Sequence, residues 1–272
     1  MIKVKFYFPE IKPVNKEELI NHILKEIKND KFIGYAGFRK KKYLKLELSS
    51  RFFNFKPSNY RALSKKEKKK IENVIKKTIQ ICRKKLNVNK IYKIYIFIFP
   101  WFPGDRDKVL KGVTGYASYE GVINLYLYPK KFNLNSIKQV VIHEYNHLAF
   151  FFYQKIFRRR DYKWRILDDL IFEGLAQNFE EDILKIRPIY SKALSKSQAF
   201  GLLRKIKDKI YKVDRKFYID LFFGSKKFKR WSGYTIGYFI VREFRKQNKN
   251  LNWKNLVSLP PQKFINHSFK NL

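Results

Sequence analysis

The sequence has very little cysteine, since Cys82 is the single one among 272 residues. This count excludes an intrachain disulfide framework, which fits a reducing compartment and leads us to expect a cytoplasmic protein. Long apolar runs are lacking too, because no stretch reaches the roughly 18 consecutive apolar residues that a transmembrane helix needs. Residues 1–9 alternate in polarity and do not form the apolar core of a signal peptide. We therefore expect neither a membrane span nor a secretion signal.

Acidic residues are also scarce, with 23 aspartates and glutamates against 61 lysines and arginines and a formal net charge of +38. Such a charge can indicate nucleic-acid binding, since clustered basic side chains bind phosphates. Here the lysines are spread over nearly every segment, and the excess of Lys, Ile, Asn, Phe and Tyr is typical of an A+T-rich genome. We interpret most lysines as solvated surface residues that attract polyanions non-specifically.

The chain does have abundant apolar residues with regular periodicity. Hydrophobic residues make up 45% and aromatic residues 18% of the chain, which predicts a folded protein with a substantial core. Period-two patterns predict strands and period-3.6 patterns predict helices. The predicted strands are residues 3–8, 45–48, 91–99 and 121–127, and the predicted helices are residues 15–27, 64–86, 136–153, 168–179, 191–211 and 233–241. We expect an α+β fold with a division near residue 90.

Four features within these elements are also predicted. The apolar residues 19, 20, 23, 24 and 27 fall on one face of the first helix. Ser64 and Glu67 have the spacing of a capping box that begins the second helix. Cys82 belongs to the apolar stripe of that helix and is expected in the core. The segment 91–99 is strongly β-prone and is expected to be a central strand.

An apolar stretch at residues 140–149 is interrupted by His143 and His147, with Glu144 directly after the first histidine. Residues four apart share one face of a helix, so both imidazoles can bind one divalent ion. Zinc often takes two imidazoles and a carboxylate and keeps a position for water, whose proton a glutamate such as Glu144 can accept. The alternative is a buried helix with incidental polar residues, each costing about 1–3 kcal/mol without a partner.

Glu173 is the candidate for the third ligand, because it lies among small and apolar residues in the next predicted helix. Gly174 and Ala176 would let this helix approach the histidine helix closely. The intervening segment includes the basic residues 158–160 and is long enough for a loop and an antiparallel return. The alternative for Glu173 is a cap or an ion pair, since buried glutamates usually have partners. Beside two imidazoles, we favour metal ligation.

Several segments carry a family resemblance and occur in the family's order: residues 112–116, 121–123, 143–147, 173–176, 233–238 and 259–264. The HExxH pattern followed by a later glutamate resembles the gluzincin metallopeptidases. More specifically, the chain from about residue 97 onward resembles a family of predicted zinc-dependent proteases, long filed as a domain of unknown function. This resemblance implies a zincin-like metallopeptidase domain at residues 91–272, with a small sheet and a mainly helical half carrying the histidines. It also implies a Zn²⁺ cofactor and a peptide or protein substrate.

The resemblance suggests further roles. Gluzincins use a tyrosine or histidine to stabilise the carbonyl oxygen during hydrolysis, which makes Tyr234 our candidate and Tyr238 the second; both could instead be core aromatic residues. An edge strand above the site would pair with extended substrate, and we expect it at residues 121–124. The alternative is an interior strand without a ligand role. Asp169 and Gln177, one turn from Glu173 on either side, are candidates for orienting the histidines.

The leading hypothesis is therefore a zinc-dependent peptidase in which His143, His147 and Glu173 hold the metal and Glu144 acts as general base. One alternative is a polyanion- or nucleic-acid-binding protein with a structural or inactive metal site. Another is a zinc scaffold that has lost catalysis. The ligand set also suits other transition metals, and no oligomeric state is predicted.

Overall fold

The computed structural model describes residues 1–28, 41–88, 93–118, 121–154 and 161–270, with the side chains of all of these except 41, 105, 106 and 266–270. The chain divides into two compact units, Met1–Leu148 and Ala149–Leu272. The division falls inside one continuous helix, α4 (Leu134–Tyr153). The predicted α+β class is confirmed, since a small sheet is combined with mostly helical structure. The predicted domain boundary near residue 90 stays a prediction.

The first unit contains a four-stranded sheet among the described residues. Its spatial order is β1 (Ile2–Phe6), β2 (Ile94–Pro100), β4 (Val122–Leu127) and β3 (Val113–Ser118). The strands β1, β2 and β4 are parallel, whereas β3 is antiparallel to β4. The strand β2 is buried throughout and lies between two others, as predicted for a central strand. Side chains alternate across a strand, so its isoleucines line one face of the sheet and its aromatic residues line the other.

The strand expected to bind substrate is not at the edge of the sheet. Residues 122–124 belong to β4, which pairs with β2 on one side and β3 on the other. The prediction of a ledge at residues 121–124 is therefore wrong, because an interior strand has no free backbone groups to offer a peptide. The edge on this side is β3, which the sequence analysis did not identify as a strand. Gly115 interrupts its β-prone residues and weakens the strand pattern.

Three helices precede α4 among the described residues of the first unit: α1 (Lys16–Lys28), α2 (Lys41–Arg51) and α3 (Lys65–Lys85). The five apolar residues predicted to share one face of α1 are all buried, and the Asn15 side chain accepts a hydrogen bond from the Glu18 amide at 2.9 Å. The predicted capping box of Ser64 and Glu67 begins α3. Cys82 is buried in the apolar stripe of α3, which confirms its role in the core.

The predicted strand at residues 45–48 is wrong, since this segment lies in α2. Leu44, Leu46 and Leu48 alternate with charged residues and so fit a strand. Leu44, Leu48 and Phe52 are spaced by four and fit a helix equally well. The helix buries these three side chains and leaves Leu46 exposed. Tertiary burial decided between two patterns that the local sequence satisfies.

The second unit is helical. It contains the last turn of α4 and, among its described residues, α5 (Ile166–Leu184), α6 (Lys196–Lys205), α7 (Arg215–Phe223), α8 (Ser232–Gln247), α9 (Trp253–Ser258) and α10 (Pro261–Lys270). The helix predicted at residues 191–211 is shorter, because Ser195 and Gln198 form a capping box that begins it at residue 196. Residues 158–160, predicted as a basic loop, lie outside the described part. No helix among the described residues is long and apolar enough to cross a membrane.

The helices α5 and α8 cross with their backbones in contact. A Cβ atom at Gly174 would lie 2.2 Å from the Gly237 carbonyl oxygen, and one at Gly237 would lie 2.0 Å from the Leu170 carbonyl oxygen. The Asn178 amide donates to the carbonyls of Gly174 and Tyr238, at 2.8 and 3.0 Å, and so bridges the helices. The small size of Gly174 therefore serves the contact with α8, and the predicted contact with the histidine helix is wrong for this residue.

We predict that Gly174→Ala destabilises the protein by about 1–3 kcal/mol, because the added methyl group meets backbone atoms that cannot move aside. Gly201→Ala is the matched control, since no atom lies within 4 Å of a Cβ at that helical position. It should stabilise by about 0.5–1 kcal/mol. Urea unfolding followed by circular dichroism measures both changes. Equal stability of the Gly174→Ala variant and the wild type would contradict the close crossing.

Candidate metal centre

The helix α4 carries the buried polar residues His143, Glu144 and His147 among buried apolar ones. Its first turn is capped by Asn133, whose side-chain oxygen accepts a hydrogen bond from the Ser136 amide at 2.7 Å. The Tyr145 hydroxyl, which is buried, donates to the Leu86 carbonyl oxygen at 2.7 Å and fixes the middle of α4 to the end of α3. Several apolar residues of the helix itself are fully buried, as expected for a helix in a protein core. These residues are Ile137, Val141, Ile142, Leu148, Ala149 and Phe150.

The two histidines lie on one face of α4, one turn apart. Their ring centroids are 4.7 Å apart and their planes are nearly perpendicular. His143, Glu144 and His147 keep only 8%, 7% and 4% of their surface exposed. Burial of this kind makes partners necessary for imidazole and carboxylate groups. The small exposed fraction still leaves these groups some contact with the outside.

Aromatic packing holds α5 against the last turn of α4. The rings of Phe150 and Phe151 each lie 5.2 Å from the ring of Phe172, and Trp164 contacts Phe172 at 5.5 Å. Such aromatic pairs contribute about 0.5–1.5 kcal/mol beyond their buried area. Glu173, the proposed third ligand, directly follows Phe172 in α5.

His143, His147 and Glu173 form a cluster that could hold a metal ion. One potential ligand atom from each of the three side chains lies within 4.8 Å of those of the other two. Ligands bound tetrahedrally at about 2.0–2.2 Å from zinc are roughly 3.4 Å from one another, so modest side-chain movements would complete the coordination. Two imidazole nitrogens and a carboxylate oxygen are also ligands that zinc accepts. The residues present therefore fit the metal that the sequence predicts, and their assignment as ligands remains a proposal.

The charge of α5 differs from that of the whole chain. This helix contains six acidic residues and no lysine or arginine, although basic residues outnumber acidic ones 61 to 23 overall. Several of these acids have basic partners, such as Asp168 with Arg165 at 2.9 Å and Glu181 with Arg242 at 3.3 Å. A local excess of carboxylates favours cations over phosphates. The environment of Glu173 is therefore suited to a metal cation.

The two residues proposed to orient the histidines have other contacts. The Gln177 amide donates to the carbonyl oxygens of Glu173 and Tyr234, at 3.2 and 2.9 Å, and so connects α5 to the start of α8. Burial raises the pKa of Asp169 well above its usual range; a hydrogen bond from Trp164 opposes this shift and the charge of Glu173 adds to it. Asp169 thus lies in the electrostatic field of Glu173, and its contact with a histidine stays a prediction.

Gly115 on β3 lies against the helix α4, a contact that was not predicted from the sequence. A Cβ atom at Gly115 would lie 2.5 Å from Cγ1 of Val140, 2.9 Å from Cγ of Glu144 and 3.1 Å from Oε1 of Glu144. The Glu144 side chain therefore occupies the space that a side chain at position 115 would fill. A glycine inside a β-prone segment is the sequence signal for such a close approach.

The two tyrosines proposed to stabilise the carbonyl oxygen differ in environment. Tyr234 lies in the first turn of α8, is partly exposed, and packs against the rings of Tyr190 and Phe222 at 5.0 and 5.1 Å. Tyr238 is fully buried, and its hydroxyl donates to Glu181 at 2.6 Å. Burial, followed by the hydrogen bond to Glu181 and the charge of Glu181, raises the pKa of Tyr238 to about 12. Tyr238 thus belongs to the core, while the role of Tyr234 stays a prediction.

Comparison with known proteins places the chain in a family. Residues 71–266, most of the chain, match the family described as "Predicted Zn-dependent protease (DUF2268)". No curated protein and no solved structure matches the chain. The match includes α4, α5 and α8, and with them every residue discussed for the metal centre. The chain belongs to this family of predicted zinc-dependent proteases.

Proposed function

We propose that this protein is a zinc-dependent peptidase of the gluzincin type, with a zincin-like fold, and that it acts in the cytoplasm on peptide or protein substrates. The observation that carries the proposal is the cluster of His143, His147 and Glu173, three potential ligands within 4.8 Å of one another. A carboxylate ligand from a later helix is the gluzincin arrangement. The membership in a family of predicted zinc-dependent proteases supports the same reaction.

In the proposed mechanism, His143, His147 and Glu173 hold the zinc ion. When bound, zinc would supply Lewis acidity, lowering the pKa of water and polarising the peptide carbonyl. Glu144 directly follows the first histidine and is almost fully buried, so its carboxylate has little freedom to move. It accepts the proton of the attacking water and passes it to the departing amine. The Tyr234 hydroxyl donates a hydrogen bond to the substrate carbonyl oxygen as negative charge develops there.

The edge strand β3 is the proposed docking strand for the substrate. It lies at one end of the sheet order, and Gly115 brings its backbone against Glu144. An extended peptide that adds to this edge would be held by main-chain hydrogen bonds and would lie next to the general base. Main-chain pairing suits a peptide substrate, because it is independent of the substrate side chains. This placement replaces the ledge expected at residues 121–124.

We predict that the wild type binds one zinc ion per chain and that His143→Ala and Glu173→Ala lose this binding. Removal of one ligand leaves too few donors for a stable tetrahedral site. At a free zinc concentration 100-fold above Kd, zinc should stabilise the wild type and the control variant by about 2.7 kcal/mol, and should not stabilise either ligand variant. His22→Ala is the matched control, since His22 lies in α1, outside the cluster. Metal analysis and thermal unfolding measure both effects; equal zinc content in all four proteins would contradict the ligand assignment.

We predict that Glu144→Gln retains zinc and the fold but lowers kcat for peptide cleavage by about 10²–10⁴-fold, because an amide cannot accept the proton. Glu72→Gln serves as the control, since Glu72 pairs with Lys76 on α3 and takes no part in the cluster. A fluorogenic peptide library identifies a substrate first, and kcat is then measured on it. Wild-type kcat in the Glu144→Gln variant would remove Glu144 from the mechanism.

The alternative function, polyanion binding, has one supporting observation. The helix α3 exposes lysines along its length, namely Lys65, Lys66, Lys69, Lys70, Lys77, Lys84 and Lys85. Binding through such residues would be sequence-independent and would weaken steeply with salt. We predict a gel shift of nucleic acid at about 50 mM salt that disappears by about 200 mM and is unchanged by zinc removal. A shift that persists at the higher salt would favour a dedicated nucleic-acid-binding function.

A further inference from the structure

We infer that Gly115 is a positioning residue for the proposed general base, and that the absence of a side chain at position 115 fixes where the Glu144 carboxylate lies. This inference rests on the proposed function. It concerns a notch, which we define as the space between the Gly115 backbone, Val140 and Glu144. The Glu144 side chain fills this notch. It therefore lies directly against the backbone of the edge strand β3.

The neighbouring positions on β3 indicate that the notch is specific to residue 115. Residues 113, 115 and 117 point to the same side of the sheet, since side chains alternate along a strand. Val113 and Ala117 are buried there, with 1% and 4% of their surface exposed. A Cβ is thus accommodated on both sides of Gly115. At position 115 itself it would lie only 2.9 Å from Cγ of Glu144.

The two side chains that form the notch differ in how freely they could move. Val140 is partly exposed, so its methyl groups can turn toward solvent if a Cβ is added at position 115. Glu144 is 7% exposed and is enclosed by α4 and β3, so a displaced carboxylate moves relative to the histidines on the same helix. Misplacement of a catalytic group by about 1 Å can lower a rate about 10²-fold. We therefore expect Gly115→Ala to lower the rate by displacing the carboxylate of Glu144, the proposed general base.

The test uses Gly115→Ala in the full-length protein, with Gly201→Ala as the matched control at an open helical position. Gly115→Ala is expected to fold, to bind one zinc ion as the wild type does, and to lower kcat about 10²-fold with KM changed less than about threefold. The Gly115→Ala change should have no further effect on kcat in the Glu144→Gln background, because the base is already lost. Wild-type kcat, or an additive loss in that background, overturns the inference.

A second readout does not require catalysis. A small hydroxamate chelates zinc and leaves its proton on a neighbouring carboxylate, so its affinity reports on the position of that carboxylate. Calorimetry on the zinc-loaded proteins should give a Kd that is weakened equally by Gly115→Ala and Glu144→Gln, and unchanged by Gly201→Ala. Wild-type hydroxamate affinity in Gly115→Ala overturns the inference. If wild type binds zinc and hydroxamate but cleaves no peptide, the proposed function fails, while this comparison still decides the role of Gly115.

The double variant Gly115→Ala/Val140→Ala separates the base from simple packing. It removes the valine methyl group that would lie 2.5 Å from the new Cβ and leaves the conflict with Glu144 in place. We expect it to fold and to keep the loss of kcat and of hydroxamate affinity. Recovery of both to wild-type values would mean that packing against Val140 caused the defect, and would overturn the inference. Failure of both Gly115 variants to fold would also overturn it, since the notch would then serve the fold alone.

Discussion

The candidate metal centre depends on the burial of ionisable side chains among apolar residues. Two imidazoles and a carboxylate on α4 have less than a tenth of their surface exposed, and the Glu173 carboxylate on α5 lies beside the imidazoles. Burying such groups costs several kcal/mol each unless charge and hydrogen bonds compensate. A divalent cation coordinated by the imidazoles and the Glu173 carboxylate would compensate much of this cost. The proposed function would thus offset the cost of burying these groups.

Two glycines allow the close approaches that define the site. Gly174 lets α8 lie directly on α5, immediately after the proposed metal ligand Glu173. Gly115 lets the edge strand lie against Glu144. The glycines act through the space they leave, and aromatic rings pack between the last turn of α4 and α5. The proposed functional groups all lie on helices, which hold them more precisely than a flexible loop could.

Much of this arrangement could be predicted from the sequence where several local signals agree. The stripe of α1, the capping box of α3 and the core position of Cys82 were all correct, because capping residues and helical periodicity pointed the same way. The candidate ligands could be chosen because few residue types bind zinc, and because two histidines four residues apart share one face of a helix. The strand predicted at residues 45–48 was wrong, because the leucines in this segment fit both a strand and a helix. Long-range burial, absent from the local pattern, decided the outcome.

Other features could not be predicted, because they depend on which elements meet. The partner of Gly174 is α8 in place of the histidine helix, and nothing in residues 170–178 identifies that neighbour. The order of strands in the sheet also has no local signal. We therefore predicted that residues 121–124, which begin β4, lie at the edge, whereas β3 is the edge strand. In both cases a glycine, Gly174 or Gly115, indicates that another element approaches closely. The tertiary structure determines which element that is.

In the proposed metal centre, two imidazoles from α4 and a carboxylate from α5 bind one zinc ion. X-ray absorption spectroscopy at the zinc edge, on protein loaded with one equivalent of zinc, identifies these ligands. We predict two imidazole ligands and additional oxygen ligands, all at about 2.0–2.2 Å, and no sulfur ligand. A spectrum with fewer than two imidazoles, or with a sulfur ligand near about 2.3 Å, would contradict it.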